Sequence, residues 1–264
     1  MARQHNGRMD IDPQWLQGLA ARGKQPPRRP RVPLTWSGRV IGSVEPELLA
    51  TLHLPADLRA QGEGWEVTGD PTPALGRIAD ALRAAGVVQA WRDEQLAVTD
   101  EAGHVLATVE RGVTRLLGIA THAVHLLGVD AQGWHWVQRR ALTKPDDPGL
   151  WDTLVGGMVP AGEATASALE REAQEEAGLD LAQLQDVRLG GAVVTQRPSA
   201  TLPAGYIVER ITWYDCVVPA QVVPVNRDGE VQEFRRMPPD EVARRLQADE
   251  FTIDAALMLL QRGL

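Results

Sequence analysis

The chain has 264 residues, a length typical of about two domains, and its 44% hydrophobic and 23% charged residues indicate a globular protein with a buried core. A single cysteine, Cys216, excludes an internal disulfide and a cysteine-rich zinc site. The net charge of −8 makes the body of the protein a poor docking surface for nucleic acid, so we expect no nucleic-acid partner.

The N-terminus is basic and rich in proline and arginine. We interpret residues 1–31 as a flexible, solvated arm, because no aromatic residues interleave its arginines to stack on bases. The first residues lack the apolar run of a secretory signal, and no stretch approaches the ~18 apolar residues of a membrane span. We therefore expect a cytoplasmic protein with no membrane partner.

Residues 32–113 read as a small accessory domain of mixed α and β structure. Short strands are predicted around 40–41, 65–67 and 95–98, with turn residues between them. A helix begins at Thr72, because apolar residues recur at three- and four-residue spacing, and Gly86 ends it.

Residues 114–264 form the second predicted domain. Strands over 121–129 and 134–140 are joined by a tight turn and predict a hairpin, followed by a loop at 144–149. A helix is predicted over 164–177, strands near 192–195 and 205–218, and one last helix over 239–262. Strands and helices alternate on a mixed plan, which predicts an α/β or α+β fold.

Three carboxylates lie close together on the helix over 164–177. Glu172, Glu175 and Glu176 fall within an arc of about 100°, where like charges repel unless cations gather there. Oxygen ligands of this kind suit Mg²⁺ or Mn²⁺. The alternative is a solvated, glutamate-rich helix surface.

The spacing of these residues distinguishes the two interpretations. The segment from Gly157 to Leu179 resembles the Nudix box, G-x5-E-x7-R-E-U-x-E-E-x-G-U, in which U is aliphatic, and it matches at every specified position. The resemblance implies an α/β/α sandwich with a mixed sheet and the metal-dependent hydrolysis of a small-molecule diphosphate. It also implies Mg²⁺ or Mn²⁺ as the cofactor.

The resemblance assigns roles by matching position. It makes Glu172 the base that activates water and Arg171 the residue that orients it, although some relatives take the base from a downstream loop. The implied metal ligands are the carbonyl of Gly157 and the carboxylates of Glu172, Glu175 and Glu176. Glu163 and Gly178 complete the box in structural roles.

Glu209 is a further candidate ligand or base on independent grounds. Period-two alternation places it on the same strand face as Ile207, Ile211 and Trp213. A charged side chain on an apolar face is costly unless a metal or an arginine meets it. The alternatives are a wet cleft or pairing with an arginine.

Segments upstream and downstream of the box resemble the Nudix proteins related to thiamine pyrophosphokinase, in which an accessory domain precedes the catalytic module. This resemblance implies thiamine diphosphate or its oxidised derivatives as substrates. Diphosphate contacts are expected from Arg139, Arg140 and Lys144, and ring stacking from Trp151 and Tyr206.

Three other functions remain as alternatives. One is a general pyrophosphatase for ADP-ribose or dinucleotides, and another is a nucleotide sensor that does not cleave its ligand. The basic segment 138–144 is also similar to isopentenyl-diphosphate isomerases, but the cysteine those enzymes carry before the box is absent here.

Many Nudix enzymes form dimers, so a homodimer is expected, and the accessory domain could supply its interface or a wall of the pocket.

Overall fold

The structure is a computed structural model that describes residues 11–50, 52–53 and 55–263. Its N-terminal region contains a four-stranded sheet of order β2-β1-β4-β3, a separate hairpin formed by β5 and β6, and two helices. The elements are β1 (Val32–Trp36), β2 (Arg39–Val44), α2 (Pro46–Ala50), β3 (Leu58–Gln61), β4 (Gly64–Val67), α3 (Pro71–Ala84), β5 (Gln95–Thr99) and β6 (Val105–Glu110). This is the additional α+β region that the sequence predicts.

Helix α3 is the central packing element of this region. It begins at Pro71, whose fixed φ suits the first turn of a helix, and it buries Leu75, Ile78 and Leu82 against the strands. The same apolar core includes Leu117 and Ile119, which follow the short 3₁₀ turn Arg111–Val113. The N-terminal core therefore extends up to the first strand of the second sheet.

The second sheet has seven strands and both parallel and antiparallel pairs. Strands β11-β12-β7-β8-β13 form its main path, with β10 on β7 and β9 on β8, and β12 runs parallel to β7. The strands are β7 (Thr121–Val129), β8 (His135–Arg140), β9 (Trp151–Asp152), β10 (Val155–Met158), β11 (Gln185–Pro198), β12 (Tyr206–Val217) and β13 (Val231–Met237). The predicted mixed sheet and the β7–β8 hairpin are both confirmed.

Helices cover both faces of this sheet. On one face, Val124 and Leu126 pack with Leu169 and Ala173 of α4 (Thr165–Ala177), and we call this the α4 face. On the other, Ala123, Ile211 and Trp213 pack with Ala255 and Leu259 of α6 (Ile253–Arg262), and we call this the α6 face. Alternate residues of β7 and β12 therefore point to opposite layers, as strand geometry requires. The α/β/α sandwich is confirmed.

The prediction of one last helix over 239–262 is wrong. Two helices, α5 (Pro239–Gln247) and α6, are separated by a turn in which Asp249 has a positive φ of 55°. Phe251 is buried in this turn, and the Thr252 hydroxyl accepts a hydrogen bond from the N–H of Ala255 to begin α6. The turn lets α6 lie against the sheet.

The predicted flexible arm differs from the structure over residues 11–31. Helix α1 (Pro13–Gly23) begins at Asp12, which accepts a hydrogen bond from Gln14, and it packs on α6 through the buried Leu19. Arg31 is held by four hydrogen bonds to other segments of the chain. Residues 1–10 lie outside the described residues, and the division at 113/114 stays a prediction.

Candidate active site

The helix that carries the three glutamates ends at Gly178. This residue has a φ of 61°, and the N–H of Leu179 then bonds to the carbonyl of Ala173 at 2.9 Å. Such a left-handed position suits glycine, which has no Cβ to clash. Gly178 therefore allows the chain to turn away at the end of α4, the structural role expected of it.

Arg171 is the centre of a cluster of carboxylates. Its Nη2 lies 3.0 Å from Glu163 Oε2, and its Nη1 lies 2.8 Å from Glu172 Oε1 and 3.1 Å from Glu175 Oε2. Nη2 also donates to the carbonyl of Met158 at 3.2 Å. Arg171 thus ties the loop before α4 and the end of β10 to two glutamates of the helix.

The carboxylate of Glu172 lies directly over Gly157 on the α4 face. A Cβ on Gly157 would lie 2.0 Å from Glu172 Cδ, so a side chain at this position would displace the carboxylate. Burial raises the pKa of Glu172, and the hydrogen bond from Arg171 opposes this effect. Gly157 and Glu172, which lie fifteen residues apart in the box, are therefore in contact in the folded chain.

Glu176 is the most deeply buried of the three, with 3% of the residue exposed. Its Oε2 accepts a hydrogen bond of 2.9 Å from the N–H of Gly156 on β10. Burial raises the pKa of Glu176 to about 8. This carboxylate is placed against the strand that carries Gly157.

Two cations lie close enough to act on these glutamates. The charge of Lys144 lowers the pKa of Glu176, and the charge of Arg111 lowers that of Glu172. Lys144 is paired with Glu230: burial raises the pKa of Glu230, but the hydrogen bond from Lys144 and the charges of Lys144 and two nearby arginines together lower it. The structure thus places Lys144 near the box, where its predicted diphosphate contact stays a prediction, and adds Arg111 and Glu230, which the sequence reasoning missed.

Three predicted substrate contacts are occupied or buried. Arg139 donates to the carbonyl of Gly149 at 3.0 Å, and Arg140 pairs with Asp152 at 3.1 Å and bonds the carbonyl of Asp146. Trp151 is only 4% exposed and packs in the core of the α6 face. The prediction that Trp151 stacks on the substrate is wrong, because the pairing of β9 with β8 directs its ring into the core.

Glu209 lies on the α6 face, opposite the three glutamates of α4. Its Oε1 accepts a hydrogen bond of 3.1 Å from Thr121, its partner in the parallel pair of β12 and β7. The sequence placed Glu209 correctly beside Ile211 and Trp213, but the helix with the box covers the other side of the sheet. In this arrangement Glu209 and the box glutamates lie on different faces of the sheet, and the role of Glu209 as a metal ligand or base stays a prediction.

A cavity of about 200 Å³ lies between the N-terminal region and the second sheet. Its lining includes Arg92, Arg111 and Arg115, and Met158, which is next to the box residue Gly157. Segment 206–209 also lines it, so the predicted substrate contact Tyr206 and Glu209 both face the cavity. No spacing in the sequence pointed to the three arginines, because they precede the box by more than forty residues and reach the cavity only in the folded chain.

The chemistry of the box residues fits a hard divalent cation. The available donors are the carboxylates of Glu172, Glu175 and Glu176 and the carbonyl of Gly157, all of them oxygen atoms. Within the described ranges, no three His, Cys, Asp or Glu side chains converge as a ready-made metal cluster. A cation bound by Glu172 and Glu175 would compete with Arg171, which now holds both carboxylates.

The α/β/α sandwich and the box on its loop–helix–loop are the features that the comparison with protein families tests. The chain belongs to the Nudix hydrolase family, since residues 118–258, more than half of its length, match the NUDIX domain. This confirms the family expected from the box.

The comparison with curated proteins finds two plant relatives. Nudix hydrolase 24, chloroplastic, of Arabidopsis thaliana is 29% identical over 201 residues, or 72% of this chain and 52% of the relative. Nudix hydrolase 20, chloroplastic, of the same plant is 31% identical over 188 residues, or 69% and 49%. The chain thus spans about half the length of these relatives. Their names include a chloroplast location, so the cytoplasmic location stays a prediction.

Among solved structures, DR0079 of Deinococcus radiodurans is similar in fold. The two share a TM-score of 0.51 and 23% identity over 64% of this chain and 98% of that one. This similarity supports the fold alone. Separately, the described part of the chain contains no helix that is both long and apolar enough to cross a membrane.

Proposed function

We propose that this protein is a divalent-metal-dependent diphosphohydrolase that cleaves an organic diphosphate to a monophosphate and phosphate. The observation that carries the proposal is the complete box, in which Arg171 gathers Glu163, Glu172 and Glu175 beside an arginine-lined cavity. A surface helix with solvated glutamates would not bury Glu176 against β10. The clustered, partly buried carboxylates therefore support chemistry over solvation.

The proposed metal ligands are Glu172, Glu175, Glu176 and the Gly157 carbonyl. When bound, Mg²⁺ or Mn²⁺ would neutralise charge on the phosphate oxygens and make water more acidic. Glu172 takes the proton of the attacking water while Arg171 fixes its orientation through the 2.8 Å pair. A new bond forms from the water oxygen to phosphorus, and the bridging P–O bond breaks.

Lys144 and Arg111 are the proposed phosphate contacts from the protein. Both cations act electrostatically on the box glutamates, which supports a position beside the reacting phosphate. Lys144 and Arg111 are each paired with a glutamate outside the box, whereas Arg139 and Arg140 donate to backbone carbonyls of the preceding loop and to Asp152. We therefore give these two arginines a structural role in the loop before the box.

Thiamine diphosphate and its oxidised derivatives are the substrates we propose to test first. The resemblance of segments on both sides of the box to Nudix proteins related to thiamine pyrophosphokinase supports this choice. Specificity in such folds resides in the residues around the cleft, here the accessory region and residues 206–209. The homodimer stays a prediction, and sedimentation equilibrium measures the oligomeric state directly.

The experiment is a hydrolysis screen with Mg²⁺ and Mn²⁺ over thiamine diphosphate, its oxidised analogues, ADP-ribose, a dinucleotide and isopentenyl diphosphate. Glu172→Gln should lower kcat at least ~100-fold, the usual contribution of a general base, while ligand binding is retained. Glu170→Gln is the matched control, since Glu170 is an exposed glutamate of the same helix with no role in the site.

The outcomes separate the proposals. Preference for thiamine-type diphosphates, lost in Glu172→Gln and kept in Glu170→Gln, supports both the reaction and the substrate. Preference for ADP-ribose supports the reaction and contradicts the substrate. Ligand binding by the wild type without turnover of any compound contradicts hydrolysis and favours the sensor.

A further inference from the structure

Glu209 is a carboxylate in the cavity wall with no cation of its own. The charges of Arg115 and Arg197 act on it, but Arg115 pairs with Asp146 at 2.7 Å and Arg197 pairs with Asp254 at 2.9 Å. Among the described residues Glu209 forms no ion pair, and its one side-chain hydrogen bond comes from Thr121. Two arginines are near, and both are already neutralised by other carboxylates.

Charging Glu209 in this position is costly. Removing a carboxylate from water requires compensation by a cation or by several donors, and one hydroxyl supplies only part of it. Burial raises the pKa of Glu209 and the neighbouring Asp254 raises it further, while the charges of Arg115 and Arg197 oppose both effects. A ligand in the cavity can contact this carboxylate directly, because Glu209 lines the cavity.

The same cavity is lined by three arginines, of which Arg115 already forms an ion pair. Arg111 lies close enough to Glu172 for its charge to act on that carboxylate, and it pairs with Glu94 at 2.7 Å. Arg92 is exposed and forms no ion pair with any residue that the structure describes. Two isoleucines add apolar surface to the lining. The cavity therefore offers a carboxylate, guanidinium groups and apolar side chains to one ligand.

We propose that Glu209 determines specificity by binding a cationic or N–H-donating group in the organic part of the substrate, while arginines of the same cavity contact its phosphates. The inference rests on the proposed diphosphohydrolase function and narrows its substrate class. The substrate is a diphosphate joined to a positively charged or amino-substituted ring, rather than to a neutral aliphatic chain. Glu209 thereby acts as a binding residue and not as a metal ligand.

Probes that carry only one half of such a substrate test the two ends separately. Thiamine carries the cationic ring without phosphate, 4-methyl-5-(2-hydroxyethyl)thiazole is a neutral comparator, and inorganic pyrophosphate with Mg²⁺ reports the phosphate end. Calorimetry with the full chain should show that the wild type prefers thiamine over the neutral thiazole. In Glu209→Gln, thiamine binding should weaken about tenfold or more, the effect of losing a charge-assisted contact. Pyrophosphate binding should stay within about twofold.

Equal binding of thiamine by the wild type and a folded Glu209→Gln would overturn the inference, as would a wild type that does not distinguish thiamine from the neutral thiazole. If the Gln variant does not fold, Glu209→Asp keeps the charge but withdraws the carboxylate by one methylene. Thiamine binding several-fold weaker in that variant supports the contact, and unchanged binding overturns it.

Failure of the proposed hydrolysis remains distinguishable from failure of this inference. A wild type that hydrolyses no diphosphate, yet shows a Glu209-dependent preference for thiamine, contradicts the reaction and supports the binding role. Turnover of thiamine diphosphate and isopentenyl diphosphate with equal kcat/KM, unchanged in Glu209→Gln, supports the reaction and overturns the binding role.

Discussion

Gly157 and Glu172, fifteen residues apart in the chain, touch each other: the place a Cβ would take on Gly157 lies 2.0 Å from Glu172 Cδ. We expect Gly157→Ala to displace the carboxylate and to lower kcat about 100-fold, the usual cost of a misplaced catalytic group of this size. Steady-state kinetics on the substrate found in the screen measure the effect.

The control for that substitution is Gly76→Ala in α3. A Cβ on Gly76 meets no atom within 4 Å, and alanine favours a helix over glycine, so activity should be unchanged and the melting temperature equal or higher. Full activity in Gly157→Ala would show that Glu172 can occupy another position without loss.

The burial of Glu176 predicts a pH-dependent stability in the metal-free protein. Its pKa is about 8 in the folded chain, against about 4.5 for an ordinary glutamate, so folding favours the protonated form. Stability should therefore fall as pH rises from about 4.5 to about 8. In chelator, Glu176→Gln should melt higher than the wild type at pH 9, with a smaller difference at pH 5.

The effect of divalent cations on the melting temperatures of the wild type and Glu176→Gln provides the control for this prediction. Binding to Glu176 offsets the burial of its charge, so MgCl₂ or MnCl₂ should raise the melting temperature of the wild type more than that of Glu176→Gln at pH 9. A difference between the two proteins that is independent of pH and metal would contradict this account.

Arg31 joins three segments of the chain. Its guanidinium donates to Ser43 on β2 and to the carbonyls of Leu116 and Ala204, the last two at 2.8 and 2.7 Å. Arg31→Met keeps the apolar stem but leaves these acceptors without a donor, which should cost about 2–4 kcal/mol of unfolding free energy. Urea denaturation measures the change.

Arg29→Met is the control for Arg31. Arg29 is largely exposed, and its contacts to Glu45 and Glu47 are 3.8 Å long, so its loss should cost less than about 1 kcal/mol. Similar losses in the two variants would show that general charge, rather than the hydrogen bonds of Arg31, stabilises this junction.

The burial of His135 predicts that the protein loses stability in acid. Burial, with the charge of Arg262, lowers its pKa to about 4, so the folded protein resists the protonation that an unfolded histidine undergoes near pH 6.5. The contribution of the neutral His135 to the free energy of unfolding is complete above about pH 6.5 and is lost as the pH falls towards 4. His135→Gln should reduce the difference in unfolding free energy between pH 7.5 and pH 5.

The exposed His53 provides the comparison for that experiment. His53→Gln should leave the unfolding free energy close to that of the wild type, because substitutions at exposed positions usually change it by less than about 0.5 kcal/mol. An identical pH dependence in His135→Gln and the wild type would contradict the assignment.

Sequence patterns among neighbouring residues correctly predicted individual helices and strands. The helix that became α4 was predicted within one residue of its observed start, because its spacing, its residue types and Gly178 all concern neighbours in the chain. In the same way, the alternation along β12 placed Glu209 beside Ile211 and Trp213. The alternation could not show which face α4 covers, since that depends on how β10 crosses β7.

The predictions for the N-terminal arginines and for one last helix differ from the structure for the same reason. Arg31 reads as solvated in a proline- and arginine-rich stretch, and only the partners on β2 and the β11–β12 loop make it an anchor. The helical pattern through 239–262 contains no proline after Pro239, and the turn at Asp249 is accompanied by the burial of Phe251, which forms a β-bridge with Trp151. Each outcome depends on a residue distant in the chain.

The sequence by itself determined the chemistry this protein can carry: the identity and spacing of the box residues, the α/β pattern and the single cysteine. The tertiary structure decided where that chemistry meets a ligand. It brought Arg92 and Arg111 from the N-terminal region, and Arg115 from the segment before β7, to a cavity beside the box, placed Glu209 on the face of the sheet opposite α4, and buried Trp151. The physical reason is that spacing fixes contacts within one turn or one strand, whereas a pocket is formed by chain crossings that no local pattern contains.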